Sequence, residues 1–523
     1  MLDNTKLINK ITYNGSIVTT HAENLKSDLF HLYIDKTLDK IDDIGGAISK
    51  PVALSNFSYL SYINLPQLSY VSNSQFYNDI KLEYVSIPNC SYISNSAFMS
   101  CSNLSYVNAF GTERLYQYAF YNCYKLQEVN LQNCIAISDY AFYACRSLSS
   151  LYLPELQTLN LASNTPFMYC SNLTSIQMPQ AILTGSYIAS NYFNGCNNLS
   201  YILLPSTITS LYGSCFKDCY NFDFEKAKLT LNNYSYIGDY AFCNCSKLTD
   251  INNLNSMVKS IYAFTFYGTG IYNADLPYVT HIYNNAFEKC FNLSYVSIPN
   301  CSYVADYAFS NCTELIKCDL GNKLTSLPVG LFMGCTKLEE FNIPASISYI
   351  PSSTFYKTNI SSINIPSSVQ SMYSYAFAKC TNLTYVNTNN VLSIGASAFN
   401  GCSNLSIAIL PKAQRLYRYA FANCTHLKAI FMPNISTLYS NVFNTCANLS
   451  IICITNNYIP TLSSMDWFSN TPIITSSYLS YYGSIYVPTS LVSAYQVTTN
   501  WAAYSSRITS IENLPEEYKE WQE

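Results

Sequence analysis

Seventeen phenylalanines recur from Phe76 to Phe443 at intervals of 21 to 26 residues, and fourteen of them carry a cysteine three residues later. A period in the low twenties is too short to enclose a core of its own. Each unit must therefore bury its apolar side against the next, as stacked coils do. The expected fold is a repeat solenoid, in which coils add onto one core where a chain of 523 residues would otherwise divide into several domains. Function is then to be sought on a long repetitive surface before it is sought in a pocket.

Aligned on the phenylalanine, the unit begins as in Ala97-Phe98-x-x-Cys101-x-x-Leu104-x-x-Val107 and continues as in Leu151-x-Leu153-Pro154. Alternation along a strand predicts Leu151 and Leu153 inward and Tyr152 outward. Proline, which lacks the amide donor, is expected to end the ladder at Pro154, Pro179, Pro205, Pro299, Pro344, Pro411 and Pro433. A second apolar run precedes each phenylalanine, such as Leu416 before Tyr419-Ala420-Phe421 and Ile237 before Tyr240-Ala241-Phe242. It reads as a short extended piece leading into a helical or 3₁₀ turn that carries Phe and Cys inward. About seventeen coils with short parallel strands, ~4.8 Å apart, make an array on the order of 80 Å along the stacking direction. Burial of an inward Phe, Leu or Ile contributes roughly 1.5 to 3 kcal/mol against about 1.5 kcal/mol for each residue ordered, so a single coil does not stand alone. The array is expected over residues 56–474. Residues 1–55, with Asp35, Lys36, Asp39, Lys40, Asp42 and Asp43, read as an N-terminal cap or attachment module. Residues 475–523, with Trp501 and Glu516-Glu517-Tyr518-Lys519-Glu520, read as a C-terminal cap and charged tail.

The chain has 21 cysteines, and those at the repeat position must stack on one another. Where the cysteine is missing after Phe266, Phe355 and Phe468, a threonine stands instead: Thr269, Thr358 and Thr471. That exchange suits a small side chain with a weak donor in a tight corner, and predicts a ladder of buried free thiols. Cross-coil disulfides are the alternative. Metal binding lacks the CxxC pairs and neighbouring histidines it would need.

Only 11% of residues are charged and the formal net charge is −4, so there is no basic surplus to neutralise phosphates and no nucleic-acid partner is expected. No segment approaches ~20 consecutive apolar residues, so no membrane span is expected. The opening MLDNTKLINKITYNGS reads as lacking a secretory leader, which leaves prior processing, another export route or retention inside the cell open. Phosphate loops, zinc-protease motifs and nucleophile elbows are missing from the sequence, and His21, His31, His281 and His426 lie far apart. No catalytic, metal or cofactor site is expected. Sequons such as Asn103-Leu104-Ser105 fall in the repeat's turn, where the Asn side chain is expected to bond nearby backbone.

Tyrosine is the outlier of the composition, at 49 residues. Outward positions flanking the inward strand residues include Tyr106, Asn108, Tyr152, Tyr201, Tyr295, Asn342, Tyr385 and Asn387, a polar aromatic strip that passes into apolar Ile407, Ile409 and Phe431. These are the candidate ligand-binding residues, with a glycan or an extended protein as the fitting partner and the apolar end as a protein contact. A solvated sheet stabilised by cross-strand stacking is the alternative reading.

The unit resembles the BspA-like, or Treponema pallidum type, leucine-rich repeats of surface proteins from gut and oral bacteria and some protozoan parasites. The stretch Ile237-Gly238-Asp239-Tyr240-Ala241-Phe242-Cys243-Asn244-Cys245-Ser246-Lys247-Leu248 fits it well, and Ile485-Tyr486-Val487-Pro488 with Asn500-Trp501 is similar to the segment that closes many such arrays. The resemblance implies a leucine-rich-repeat array, capped at both ends, and a non-enzymatic binding or adhesion protein that meets host protein, matrix or glycan at the cell surface. Where the family often has glycine four residues before Phe, kept at Gly238 and Gly395, this chain frequently has tyrosine: Tyr116, Tyr212, Tyr262, Tyr283, Tyr373, Tyr417 and Tyr439. Ile11-Thr12-Tyr13-Asn14-Gly15-Ser16 is similar to short modules that open some gut-bacterial and prophage-encoded proteins, which makes a virion-associated, receptor-contacting role the alternative function. None of these features encodes an oligomeric state.

Overall fold

The computed structural model of the chain describes residues 8–13, 16–20, 40–42, 59–160, 165–178, 182–184, 186–202, 208–223, 231–463, 466–474 and 483–521. They belong to two compact units, Met1–Leu248 with Asn253–Val258, and Thr249–Asn252 with Lys259–Glu523. Each unit is a parallel β-solenoid in which most of the described coils offer a short strand to one or both of two sheets.

In the first unit, Lys40–Asp42, Tyr62–Asn64, Tyr84–Ser86, Tyr106–Asn108 and Glu128–Asn130 form one parallel sheet, each strand paired with its equivalent 22 residues on. Ser150–Tyr152, Ser175–Gln177 and Tyr201–Ile202 form another. The second strand of each coil, as in Tyr92–Ile93, Arg114–Leu115 and Ala136–Ile137, builds a separate sheet. A hairpin, Ile8–Tyr13 with Ser16–Thr20, is antiparallel. In the second unit, Asn273–Asp275, Tyr295–Ser297 and Lys317–Asp319 make one sheet, and Tyr385–Asn387, Ile407–Ile409, Ala429–Phe431, Ile451–Cys453, Ser484–Val487 and Ile508–Ser510 make another. Short second strands run from Tyr349–Ile350 to Thr461–Leu462. Inward positions are filled as the alternation requires: Ile63, Val85, Val107, Leu151 and Leu153 are buried, and Tyr152 is exposed. Pro154, Pro299, Pro411 and Pro433 stand two residues past their strands. Pro179 and Pro205, and Asp35, Lys36, Asp39 and Asp43 of the expected N-terminal cap, lie outside the described residues.

The phenylalanines form a stacked column within each unit. Ring centroids are 4.9 to 6.1 Å apart from Phe76 to Phe242 and 5.0 to 6.2 Å apart from Phe266 to Phe468. These separations suit offset stacking.

The segment carrying each phenylalanine is not the helical or 3₁₀ turn the sequence suggests. Residues two before and two after Phe take left-handed backbone, as Ser96 (φ 56) and Ser100 (φ 65) do around Phe98, and Tyr419 (φ 59) and Asn423 (φ 60) around Phe421. Around Phe332 glycine fills both places, Gly330 and Gly334. For other residues this conformation costs roughly 1 to 2 kcal/mol each. What offsets it is a third ladder between coils. Ser96, Phe98 and Ser100 amides donate to the carbonyls of Gln117, Ala119 and Tyr121 in the next coil at 2.9, 2.8 and 2.7 Å, while the amides between them close turns within their own coil. A helix directs every amide along its own axis and cannot hand alternate ones to a neighbour.

All fourteen repeat cysteines donate Sγ–H to the carbonyl of the phenylalanine one coil earlier, at 2.9 to 3.2 Å. All 21 cysteines are buried and unbridged, which is the free-thiol ladder and not the disulfide alternative. Thr269, Thr358 and Thr471 behave differently. Each donates its hydroxyl to the phenylalanine carbonyl of its own coil, at 2.8, 2.9 and 2.7 Å. The turn after each threonine is one residue shorter, since buried Ile271, Ile360 and Ile473 sit two residues past the threonine where leucine sits three past the cysteine. The exchange therefore travels with a tightened turn.

The end of the second unit is closed by the segment after Val487. Tyr504 meets Phe468, the last ring of the column, edge-on at 5.0 Å, and Tyr495 packs against buried Trp501. Trp501 Nε1 and Asn500 Nδ2 donate to the carbonyls of Pro460 and Leu462 at 2.8 and 2.9 Å, satisfying acceptors that another coil would otherwise take.

Burial pushes the thiols of Cys90, Cys301 and Cys380 up to about 11, and those of Cys134, Cys170, Cys290 and Cys453 up to about 12, from an ordinary 9.0. The unfolded chain thus loses these protons first as pH rises, so their stabilisation is complete below about pH 9 and is lost between about 9 and 12. The expected outcome is a guanidinium midpoint that is flat over about pH 6 to 8 and falls above about 9. In a thiol titration at about pH 8 the native chain should react little and the denatured, unreduced chain should yield all 21 thiols. Fewer than about ten would overturn the free-thiol ladder.

Candidate functional site: the outer face of the first strands

The outward positions of the first strands form two columns. In the first unit, Tyr62, Tyr84 and Tyr106 lead their strands and stack ring on ring, with centroids 4.7 and 5.1 Å apart. The Tyr106 phenol is held above its ordinary value by burial and, secondarily, by the Glu128 carboxylate. The column beside it is amide, and Asn130 Nδ2 donates to Asn108 Oδ1 at 3.1 Å. Tyr152 and Tyr201 lie together in a different sheet of this unit and in different columns, since Tyr152 pairs with Gln177 and Tyr201 with Ser175. Tyr152 is 52% exposed, the most open of the candidate tyrosines, and Tyr201 is half-buried.

In the second unit, Tyr295 lies between Asn273 and Lys317, 40% exposed. Asn342 is exposed but stands in no strand, because only Lys317 and Glu340 are bridged at that coil. The remaining five candidates share one sheet, in the register Tyr385 with Ile407 and Asn387 with Ile409 and Phe431. Their environment differs from the expectation of an open apolar surface. Ile409 and Phe431 are buried, in a cluster with Ala429, Ile451, Cys453, Tyr486 and Leu514, and Tyr385, Ile407, Ile511 and Tyr518 pack against it. The chain's own C-terminal segment lies over this end of the strand face, with the Tyr518 ring 6.4 Å from that of Phe431. Apolar residues on both faces of these strands require such a cover, as they do for any sheet buried on two sides.

A second set of tyrosines lies outside the candidate strand-face residues. Tyr70 stacks on Tyr92 at 4.9 Å, Tyr187 meets Tyr212 at 4.6 Å, and Tyr262–Tyr283 and Tyr417–Tyr439 stack at 5.4 and 4.8 Å along the short second strands and the residues just after them. The tyrosines that replace the family's glycine four residues before Phe are half of these pairs or more, so the departure from the pattern was the available signal. The turns add Tyr118–Tyr140 and Tyr121–Tyr143, at 5.3 and 4.5 Å. Asn103 Nδ2 donates to the Ile80 carbonyl one coil back, as expected of a turn asparagine. His426 Nδ1 lies 2.7 Å from the Ser403 carbonyl, and His281 Nδ1 2.9 Å from Thr280 Oγ1 with its ring near Tyr283 and Tyr303. His21 and His31 lie outside the described residues. Among the described residues no group of three or more His, Cys, Asp or Glu side chains is placed to hold a metal, and no helix is long and apolar enough to cross a membrane.

Parallel two-sheet coils with a stacked phenylalanine column and a leucine or isoleucine just after it define a leucine-rich repeat protein. The chain belongs to the BspA type leucine-rich repeat family, whose model matches it in six overlapping copies at residues 50–114, 109–223, 162–278, 220–314, 259–384 and 382–486. Among solved structures it is similar to a leucine-rich cell surface protein from Faecalibacterium prausnitzii, 20% identical, covering 69% of this chain and 82% of that one, with a TM-score of 0.36. It is also similar to a leucine-rich repeat protein from Bacteroides ovatus, 17% identical, covering 83% and 94%, TM-score 0.40, and to a Treponema pallidum leucine-rich repeat protein, 14% identical, covering 50% and 82%, TM-score 0.19. No curated protein matches the sequence.

Cutting the chain after Ser510 removes the cover from Ile409, Phe431 and Ile451. The shortened protein is expected to self-associate and bind a hydrophobic dye, read by sedimentation and fluorescence. Leu514→Ala in the full chain should lower stability by about 2 to 3 kcal/mol in a denaturant titration.

Proposed function

We propose that this is a non-enzymatic binding or adhesion protein that presents the outer face of its first strands to a protein, matrix or glycan ligand outside the cell. The observation that carries the reading is the distribution of chemistry. Thiols, the most reactive side chains available, are all buried, whereas the outward columns hold stacked tyrosine and amide side chains on a hydrogen-bonded sheet. Such columns lose little freedom when a ligand docks, because neighbouring rings and amides already fix one another. They offer hydroxyl and amide donors and acceptors at the spacing of the strands, which suits an extended partner. The low charge supports a ligand recognised by hydrogen bonds and ring contacts and not by phosphate neutralisation. Residues 56–474 are the array on this reading, residues 1–55 a cap or attachment module and residues 475–523 a cap whose tail seals the apolar end, which leaves Tyr106, Asn108, Tyr152, Tyr201, Tyr295, Asn342 and Asn387 as the open candidates.

Purified protein screened against glycans and host matrix proteins should find a ligand whose binding weakens about tenfold or more on Tyr152→Ala, Tyr201→Ala or Tyr295→Ala, with an unchanged melting curve. Unchanged binding would move the site off this face. Cell fractionation tests the location, since wall-associated or secreted protein supports adhesion and co-sedimentation with phage particles supports the virion-associated role.

A further inference from the structure

The first-strand sheet of the second unit stops at Lys317–Asp319 and resumes at Tyr385–Asn387. The break begins where Phe341 occupies the inward middle position, filled in the neighbouring strands by Ala274, Val296 and Cys318. Its ring tilts against Phe332 and Phe355 of the column, at 4.8 and 5.8 Å. A ring where a small side chain would fit holds the coil away from its predecessor. Lys317 and Glu340 keep a single bridge. The next ladder bond, made elsewhere by Leu276 N to Ser297 O at 2.8 Å and Ile298 N to Asp319 O at 2.7 Å, has no counterpart from Leu320 N.

The splay leaves a cavity of about 190 Å³ on the strand face. Its floor is apolar, from Cys318, Leu320 and Phe341, and its rim carries Lys317, Asp319, Glu340 and Asn342. Lys317 Nζ is 3.4 Å from Glu340 Oε1, so that ammonium is already matched by a carboxylate. Asp319 Oδ1 accepts from Gly321 N at 2.8 Å, which fixes the carboxylate plane. Gly321 has φ +68, and a Cβ there would lie 2.2 Å from the Pro299 carbonyl oxygen, so this wall requires glycine. The exposed Asn342 amide adds a donor and an acceptor on the opposite side.

We infer that this notch is a subsite for one pyranose ring of a glycan, an inference that rests on the strand face being the binding surface. Planar carboxylate and amide groups around an apolar floor match a ring with hydroxyls at its edge and C–H groups on its face. An anion would meet two carboxylates and a lysine already paired. An apolar side chain would take the Asn342 amide and the Asp319 carboxylate, which has one backbone donor at Gly321 N, out of water without a partner of its own to offer, which is unfavourable. A cationic peptide side chain is the competing occupant that the rim would admit.

The test uses the full chain with a panel of methyl pyranosides and N-acetylglucosamine at millimolar concentration, read by saturation-transfer NMR, with N-acetyl-lysine methylamide as the cationic probe. At least one sugar should bind, and its affinity should fall about tenfold or more on Asn342→Ala, whose side chain is exposed, and on Phe341→Val, which should close the ladder. The same sugar should bind Val497→Ala, a change at an exposed position of the C-terminal segment, unchanged. No sugar binding, sugar binding indifferent to both notch variants, or binding of the lysine probe alone would overturn the inference. If the ligand found in the larger screen still binds Asn342→Ala fully but is lost on Tyr295→Ala, the notch fails while the strand-face function stands.

Discussion

The fold depends on one hydrogen bond repeated along the chain, from a cysteine thiol to the carbonyl of the phenylalanine one coil earlier. That carbonyl already receives the amide three residues on in its own turn, as Phe399 O does from Cys402 N at 3.2 Å, and its remaining lone pair faces the next coil. Cys424 Sγ fills it, also at 3.2 Å. A bond of this kind contributes only about 0.5 to 1.5 kcal/mol net, but a buried carbonyl left without it loses more. The donor must also be small enough to let phenylalanine rings approach to within stacking distance, and few side chains other than cysteine combine those properties. Serine and asparagine extend the same device to the surface, as Ser105 Oγ donates to Glu83 O at 2.9 Å and Asn434 Nδ2 to Pro411 O at 2.6 Å. Much of the Ser, Asn and Cys content is therefore coil-to-coil adhesive, and only what is left over can face a partner.

The period and the inward strand residues were legible because they are local: one phenylalanine, one cysteine and an alternating pair recur within each coil. The thiol ladder followed from the same register. The left-handed turns were not legible, since only a few of the positions flanking Phe hold glycine, and Ser, Tyr, Asn, Lys and Ala hold most of the rest. Those residues adopt the conformation only because amides in the turn find carbonyls in the next coil, a property of the stack and not of the segment. The meaning of the threonines was half visible. Their small size was plain, but their bond to their own coil becomes clear only once Ile271, Ile360 and Ile473 are seen one residue early.

For the candidate face, the outward placement of Tyr106, Tyr152 and Tyr295 follows from strand alternation, and sequence alone suffices for it. What covers Phe431 does not. Tyr518 lies more than 80 residues away along the chain, and nothing periodic announces that the tail returns to the strand face. The notch beside Asn342 was hidden for a different reason: a phenylalanine in a run of small and β-branched inward residues reads as one more apolar core position, and its effect appears only when ring volume is compared between adjacent coils.

Because the side-chain donors of the repeats reach no further than an adjacent coil, a whole coil can be copied or lost in the gene without orphaning any partner, provided the cut falls at equivalent positions. Array length is then a quantity that recombination between repeats can change in a single step, whereas the C-terminal closure, whose contacts to Pro460, Leu462 and Phe468 are made once, cannot be duplicated in the same way.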